Sequence, residues 1–310
     1  MVVVGCGVIG LTTALRLRSA GFDVEVWARD ELSATTSAAA GAIWYPFLAE
    51  PREAVARWSA VTFTQLRALA ERGGAGVRMC SVMEGFADET PDLWWASAVP
   101  DVEVIPSAEV PNGYRSAVRT QVPVCDVPVY LGWLIGELAR AEINVVRREV
   151  ADFEEAFAAA DIVVNCAGLG ARELCQDQDL RPVRGQLIFL DGVEMETAWI
   201  DDTTPRPRYV VPRAGRLVLG GTAQERDERT EPDDDDTERI LADAVKVWPG
   251  LSEGRVGAVS VGLRPYRSAV RLERELRPDG RLLLHNYGHG GSGYTVSWGC
   301  ADDVVALASG

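Results

Sequence analysis

The chain opens on Val2-Val3-Val4, turns through Gly5-Cys6-Gly7-Val8-Ile9-Gly10 and continues into an apolar helical stretch, Leu11 to Leu17. A strand, a glycine turn and a helix in that order are the start of a βαβ unit with a dinucleotide at the turn. Gly5 permits the sharp turn, Gly7 lets bare backbone approach a pyrophosphate, and Gly10 lets the helix pack on the strand. The free amides at the start of the helix, at Val8 and Ile9, then face the phosphate charge. The next strand, Val24 to Trp27, ends in Ala28-Arg29-Asp30. That is about 20 residues beyond the last glycine, where an acid on the ribose hydroxyls is expected. Asp30 meets the spacing, with Arg29 beside it. The motif leaves open which dinucleotide binds.

A second glycine-rich segment lies near the other end: His285-Asn286-Tyr287-Gly288-His289-Gly290-Gly291-Ser292-Gly293-Tyr294, which also holds both histidines of the chain. Between a hydrophobic strand and an apolar tail, it is most simply explained by a ligand that needs backbone close against it. Both ends of the chain therefore point at one nucleotide cofactor.

With 310 residues and 47% apolar content, the chain has room for two moderate domains sharing a crevice. It has no run of eighteen apolar residues, so no membrane span is expected. A formal charge of −15 argues against nucleic acid or an anionic membrane as partner. Lys246 is the one lysine, which leaves no candidate for a Schiff-base or phosphate-loop lysine elsewhere. It sits in an expected helix from Thr237 to Trp248, with Asp233 to Asp236 as a solvated acidic cap. Cys6, Cys80, Cys125, Cys166, Cys175 and Cys300 form no CxxC pair, so free buried thiols are expected rather than disulfides or metal ligands. The opening strand and the Ala308-Ser309-Gly310 end carry no targeting signal, and the protein is expected in the cytoplasm.

Along the chain, two kinds of sequence alternate. A second αβ unit is expected as helix Tyr130 to Ala141, strand Val145 to Arg148, helix Phe153 to Ala160 and strand Asp161 to Cys166. Its Ile162-Val163-Val164 core has the continuous apolar character of a parallel sheet. By contrast Gly185 to Leu190, Tyr209 to Pro212 and Arg216 to Gly220 alternate as antiparallel strands do. The expected architecture is α/β: a Rossmann-like domain of residues 1–48, 126–176 and 262–310, interrupted by a mainly antiparallel-sheet domain of residues 49–125 and 177–261.

Several segments, in order, carry a family resemblance. Thr35-Thr36-Ser37 followed by Ala-Ala-Gly41-Ala42-Ile-Trp-Tyr-Pro, Ile162 to Gly170, Arg181-Pro-Val-Arg-Gly-Gln, Val261-Gly-Leu-Arg264-Pro-Tyr-Arg, Val270-Arg271-Leu-Glu and the His285 to Gly293 loop resemble the D-amino acid oxidase family over nearly the whole chain. The resemblance implies FAD in the Rossmann-like domain, the interrupting domain as the substrate binder, and oxidative deamination of a D-amino acid with dioxygen giving hydrogen peroxide. It places Arg264 and Tyr209 on the substrate carboxylate and the carbonyl of Gly291 on the amine. It assigns Thr35, Thr36, Ser37, Gly41, Ala42, Val150, Ala167, Gly168, Arg271, Gly288 and Gly290 to Thr295 (Gly291, Ser292, Gly293 and Tyr294 between) to the cofactor. No metal is implied, and a homodimer is an assembly to test for.

The residues taken singly also have plainer readings. Arg264 before a proline could be a surface arginine, Tyr209 a half-buried strand residue, and Arg271 an exposed strand arginine paired with Glu273. His285 and His289 are expected to fix the loop through ring hydrogen bonds, since hydride leaving a neutral amine needs no side-chain base. Three departures from the family pattern stand out. Pro205 replaces a lid tyrosine, which predicts a shorter, stiffer lid; Tyr45 stands for a glutamine; and Ser292 replaces a larger residue, which predicts a wider pocket. Arg206 and Arg208 could receive a side-chain carboxylate, which keeps D-aspartate oxidase open beside glycine oxidase. A NAD-dependent dehydrogenase and a non-catalytic binding protein are the more distant alternatives.

Overall fold

The computed structural model describes residues 1–89, 92–111, 113–201, 204 and 206–310. Its elements in chain order begin with β1 (Val2–Val4), α1 (Val8–Ser19), β2 (Glu25–Ala28), α2 (Arg52–Arg72), β3 (Val77–Phe86), β4 (Glu103–Val104), β5 (Ser116–Cys125), α3 (Val127–Arg140), β6 (Asn144–Arg147) and α4 (Phe153–Phe157). They continue with β7 (Ile162–Asn165), α5 (Ala171–Leu174), β8 (Arg181–Asp191), β9 (Ala198–Asp201), β10 (Arg208–Arg213), β11 (Arg216–Gly220), β12 (Gln224–Glu225), α6 (Asp234–Val247), β13 (Arg255–Leu276), β14 (Leu282–His289) and α7 (Gly293–Ser309).

One end of the sheet is parallel, in the order β14-β7-β1-β2-β6. Its central strands β1, β2 and β7 are short and largely buried, as strands inside a covered parallel sheet are, while the edge strand β6 is mostly exposed. The other end is mainly antiparallel, running β8-β11-β10-β9 before β3 joins β9 in parallel and pairs antiparallel with β5. The alternating runs expected at 185–190, 209–212 and 216–220 are β8, β10 and β11, and the second αβ unit is α3-β6-α4-β7, with α4 stopping at Phe157.

β13 joins the two ends. Its first half pairs with β8 over Arg255 to Tyr266, and its second half with β14 over Tyr266 to Leu276. A division at 261/262 therefore falls inside one continuous strand. Helix α2 packs on α7: a Cβ on Gly299 would lie 2.4 Å from the backbone of Trp58, so only glycine allows that approach.

The acidic run at the start of α6 differs from its expected solvated form. Asp233 is the N-cap, accepting from the Asp236 amide at 3.1 Å, and the helix begins at Asp234. Asp236 is 1% exposed and pairs with the fully buried Arg184 at 3.0 Å. Arg184 lies on β8, and a guanidinium shut away from water needs a buried counter-charge. All six cysteines are free and five are buried. No helix among the described residues is long and apolar enough to cross a membrane. The lid expectation at Pro205 lies outside the described residues.

Candidate active site

A cavity of about 710 Å³ runs from the ends of β1 and β2 to the antiparallel strands β8, β9 and β10. Its first part is the glycine turn. A Cβ on Gly10 would lie 1.9 Å from the carbonyl oxygen of Gly5, so Gly10 serves helix packing and does not itself line the cavity, whereas Gly5, Gly7, Val8 and Ile9 do. Gly7 faces Ser37, whose hydroxyl would stand 3.0 Å from an added Cβ and accepts the Val8 amide at 2.9 Å. The segment of short turns carrying Thr35, Thr36 and Ser37 thus closes over the α1 N-terminus. The Thr35 hydroxyl donates to the Leu32 carbonyl at 2.7 Å and that of Thr36 to the Leu263 carbonyl at 3.0 Å, yet all three residues line the cavity.

At the far nucleotide end, Arg29 and Asp30 line the wall and bond to each other, Nε to Oδ2 at 2.9 Å. Val150, Ala167 and Gly168 are also there. Sequence reasoning missed Trp27 and Arg148, which face the same space with the guanidinium 4.0 Å from the ring centroid. The signal was available: both sit at the carboxyl ends of neighbouring parallel strands, where ligands of open α/β sheets bind.

The loop after β14 supplies Gly290, Gly291, Gly293 and Tyr294 to the cavity, facing Gly41 and Ala42. It is laced to the segment after Ala42. Gly290 N–H donates to Pro265 and Gly291 N–H to Phe47, at 2.9 and 3.1 Å, and a Cβ on Gly290 would overlap the Leu48 carbonyl. Ser292 Oγ accepts from Phe47 N–H at 2.7 Å and donates to its carbonyl at 2.9 Å; Thr295 Oγ1 does the same with Tyr45, at 3.1 and 3.0 Å. Their hydroxyls are spent on this lacing, so Ser292 and Thr295 lie behind the cavity wall, and Ser292 does not widen it. Gly288 also stands off the lining, packed against Arg267.

Arg271 does not line the cavity either. It lies opposite Tyr287 in the β13–β14 ladder and is drawn to partners on that side: Glu273 at 2.7 Å and the Tyr287 hydroxyl at 2.8 Å. The paired-arginine reading is the one the geometry supports. Both histidines make ring hydrogen bonds, and His289 also lines the cavity. His285 Nε2 lies 3.2 Å from Glu275 and His289 Nε2 3.0 Å from Asn286 Oδ1. Burial pushes both pKa values down, that of His289 to about 3.

The opposite end of the cavity holds Tyr209 and Arg264. Arg264 Nη1 donates to the Thr222 carbonyl at 2.8 Å, and its guanidinium lies 5.7 Å from the Phe47 ring. Burial lowers its pKa, with Tyr209 opposing, and no described residue supplies it a carboxylate. Burial raises the Tyr209 pKa, with Arg264 and Arg213 opposing, so the phenol is a neutral donor. Two glycines that sequence reasoning missed make room for this pair. A Cβ on Gly185 would lie 2.3 to 2.4 Å from the Arg264 guanidinium, and one on Gly220 would lie 2.0 to 2.4 Å from Cζ, the hydroxyl and Cε1 of Tyr209.

A nucleotide cradle thus continues through one cavity to a half-buried cation and a phenol. The chain belongs to the family of FAD-dependent oxidoreductases, whose model it matches over residues 1–307. It is 45% identical over 309 residues to the D-amino-acid oxidase of Rubrobacter xylanophilus, covering 99% of this chain and 95% of that one. It is 42% identical over 316 residues to the D-amino-acid oxidase of Streptomyces coelicolor, covering 100% and 96%. Among solved structures, the glycine oxidase of Geobacillus kaustophilus has the same fold, with a TM-score of 0.84 at 19% identity over 99% of this chain and 94% of that one. FAD is thus the dinucleotide, which removes the NAD-dependent alternative. The residues present fit it, with tight glycine-lined walls at Gly7 and Gly290 and the start of α7 opening on the cavity between them.

Proposed function

We propose that this protein oxidises D-amino acids, converting the substrate, dioxygen and water to a 2-oxo acid, ammonia and hydrogen peroxide. The observation that carries the reading is Arg264: a half-buried guanidinium on the cavity wall, beside Tyr209 and given no carboxylate by any described residue. A cation partly withdrawn from water favours a counter-charge, and an amino-acid carboxylate supplies it in the bidentate geometry guanidinium favours. The identity to two D-amino-acid oxidases supports the hand of the substrate.

Bound FAD would accept the hydride of the α-carbon and pass the electrons on to dioxygen. The protein's part is positioning and charge. Arg264 and the Tyr209 hydroxyl hold the carboxylate, and the Gly291 carbonyl accepts from the amine. The turn from Gly5 to Ile9, with Ser37, would hold the pyrophosphate; Arg29, Asp30, Trp27 and Arg148 would hold the adenosine half; Gly290, Gly291, Gly293 and Tyr294, with Gly41 and Ala42, would hold the ring. In this reading residues 1–48, 126–176 and 262–310 carry the cofactor, and the rest shapes the substrate end. A cytoplasmic setting accords with six free thiols.

The test is peroxide release by the purified yellow protein across paired D- and L-amino acids. Peroxide with D-alanine or D-valine is expected, and none with any D-amino acid would refute the reading.

A further inference from the structure

The register of the antiparallel strands sets out a row across the cavity wall. Glu84 on β3 is opposite Ile200 on β9, Ile200 is opposite Tyr209 on β10, Tyr209 is opposite Gly220 on β11, and Gly220 is opposite Leu187 on β8. Residues opposite one another in a ladder project from the same face. Ile200, Tyr209 and Leu187 line the cavity; Glu84 continues the row on that face, two strands and roughly 10 Å beyond Tyr209, but lies behind the lining. Glu84 is 4% exposed, and its Oε1 accepts from the Tyr45 hydroxyl at 2.6 Å. Tyr45 itself lines the cavity. The cavity therefore has a cation, Arg264, at one point of its wall and, past Ile200, a phenol backed by a buried carboxyl group.

The two arginines that could have received a second carboxylate are engaged elsewhere. Arg208 precedes Tyr209 and so projects from the opposite face of the sheet. There it pairs with the buried Asp201, which also accepts from Tyr114 at 2.9 Å. Arg206 pairs with Asp243 of α6 at 3.5 Å.

We infer that Glu84, presented through Tyr45, is a specificity-determining residue, admitting neutral or hydrogen-bond-donating D-side chains and turning away those that end in a carboxylate. The inference rests on the D-amino-acid reading above. In this proposal a side chain anchored at Arg264 and Tyr209 extends along the row toward Ile200, and a carboxylate there comes up against the Tyr45 phenol with the Glu84 carboxyl group behind it, in a site that water screens poorly.

D-asparagine and D-aspartate have nearly the same shape and differ in charge, so their kcat/KM ratio in the FAD-loaded enzyme reads the effect. D-asparagine should be favoured at least ten-fold, and Glu84→Gln, which keeps an acceptor for Tyr45, should narrow the ratio about ten-fold. Glu84→Met is the second neutral variant should the first lose its flavin absorbance. D-glutamine and D-glutamate, measured in the unmodified enzyme, should show the same bias. A ratio near one in the unmodified enzyme, or an unchanged ratio in a flavin-bound neutral variant, overturns the inference and leaves the oxidase reading standing. Failure of D-alanine and D-asparagine alike to turn over would remove the oxidase reading, and the inference with it.

Discussion

Gly185→Ala is the sharpest perturbation the site offers, because it adds a single methyl group and removes no polar atom. The new Cβ would lie 2.3 Å from Nη1 of Arg264 and 2.4 Å from Cζ and Nη2. Ordinary contact between such atoms begins near 3.5 Å, so the guanidinium must retreat by about 1 Å. The displaced group is the tip of a long side chain, and β8 need not move, so folding and FAD binding should survive. The substrate anchor should not, because misplacement by that much costs on the order of a hundred-fold and a charged hydrogen bond is worth about 1.5–3 kcal/mol. kcat/KM for D-alanine should fall about a hundred-fold in Gly185→Ala and similarly in Arg264→Leu. The double variant should be little worse than Arg264→Leu alone, since both changes disable one group. Wild-type kinetics in Gly185→Ala, or fully additive losses in the double variant, would refute the placement of Arg264 on the substrate.

Tyr209→Phe removes one donor and keeps the ring, so the apparent substrate constant should rise about ten-fold, a loss of about 1.5 kcal/mol, with kcat little changed; abolished turnover would instead give the phenol a proton-transfer role. Acid stability should report the buried imidazoles. His289 titrates near 3 in the folded chain against 6.5 unfolded, so its neutral form stabilises the fold fully above pH 6.5. As pH falls from there toward 3 the unfolded chain takes up the proton first and stability declines, by up to about 1.4 kcal/mol per pH unit from this one group. Denaturant titrations of the wild type and His289→Gln at pH 7 and pH 5 would measure it, and equal losses on acidification would remove His289 as the cause.

What could be read from the residues in advance was local or repetitive. The strand, glycine turn and helix of Val2 to Leu17 encode their own geometry, and the alternating runs at 209–212 and 216–220 declare their pairing class. Features imposed from a distant strand were not legible. Gly185 and Gly220 are glycines on account of Arg264 and Tyr209, which come from other strands, and nothing near them in sequence says so. Asp236 looks like one more solvated acid until β8 places Arg184 against it. Glu84 gains its place behind the cavity wall from pairing with Ile200, more than a hundred positions later. Arg271 goes to Glu273 and Tyr287 because the β13–β14 ladder sets them side by side, and a short motif does not carry a ladder. The division at 261/262 likewise overlooked a single strand that both halves share.

The central claim, that Arg264, Tyr209 and the Gly291 carbonyl hold an amino acid by two of the four groups on its α-carbon, has a direct stereochemical test. With carboxylate and amine fixed, exchanging hydrogen and side chain drives the side chain into space that a close-packed site reserves for the cofactor. The measurement is anaerobic stopped-flow loss of the oxidised flavin band with D-alanine and D-valine against their L-enantiomers. Rapid bleaching by the D-forms and negligible bleaching by the L-forms is predicted, and comparable bleaching by L-alanine or L-valine would contradict the account.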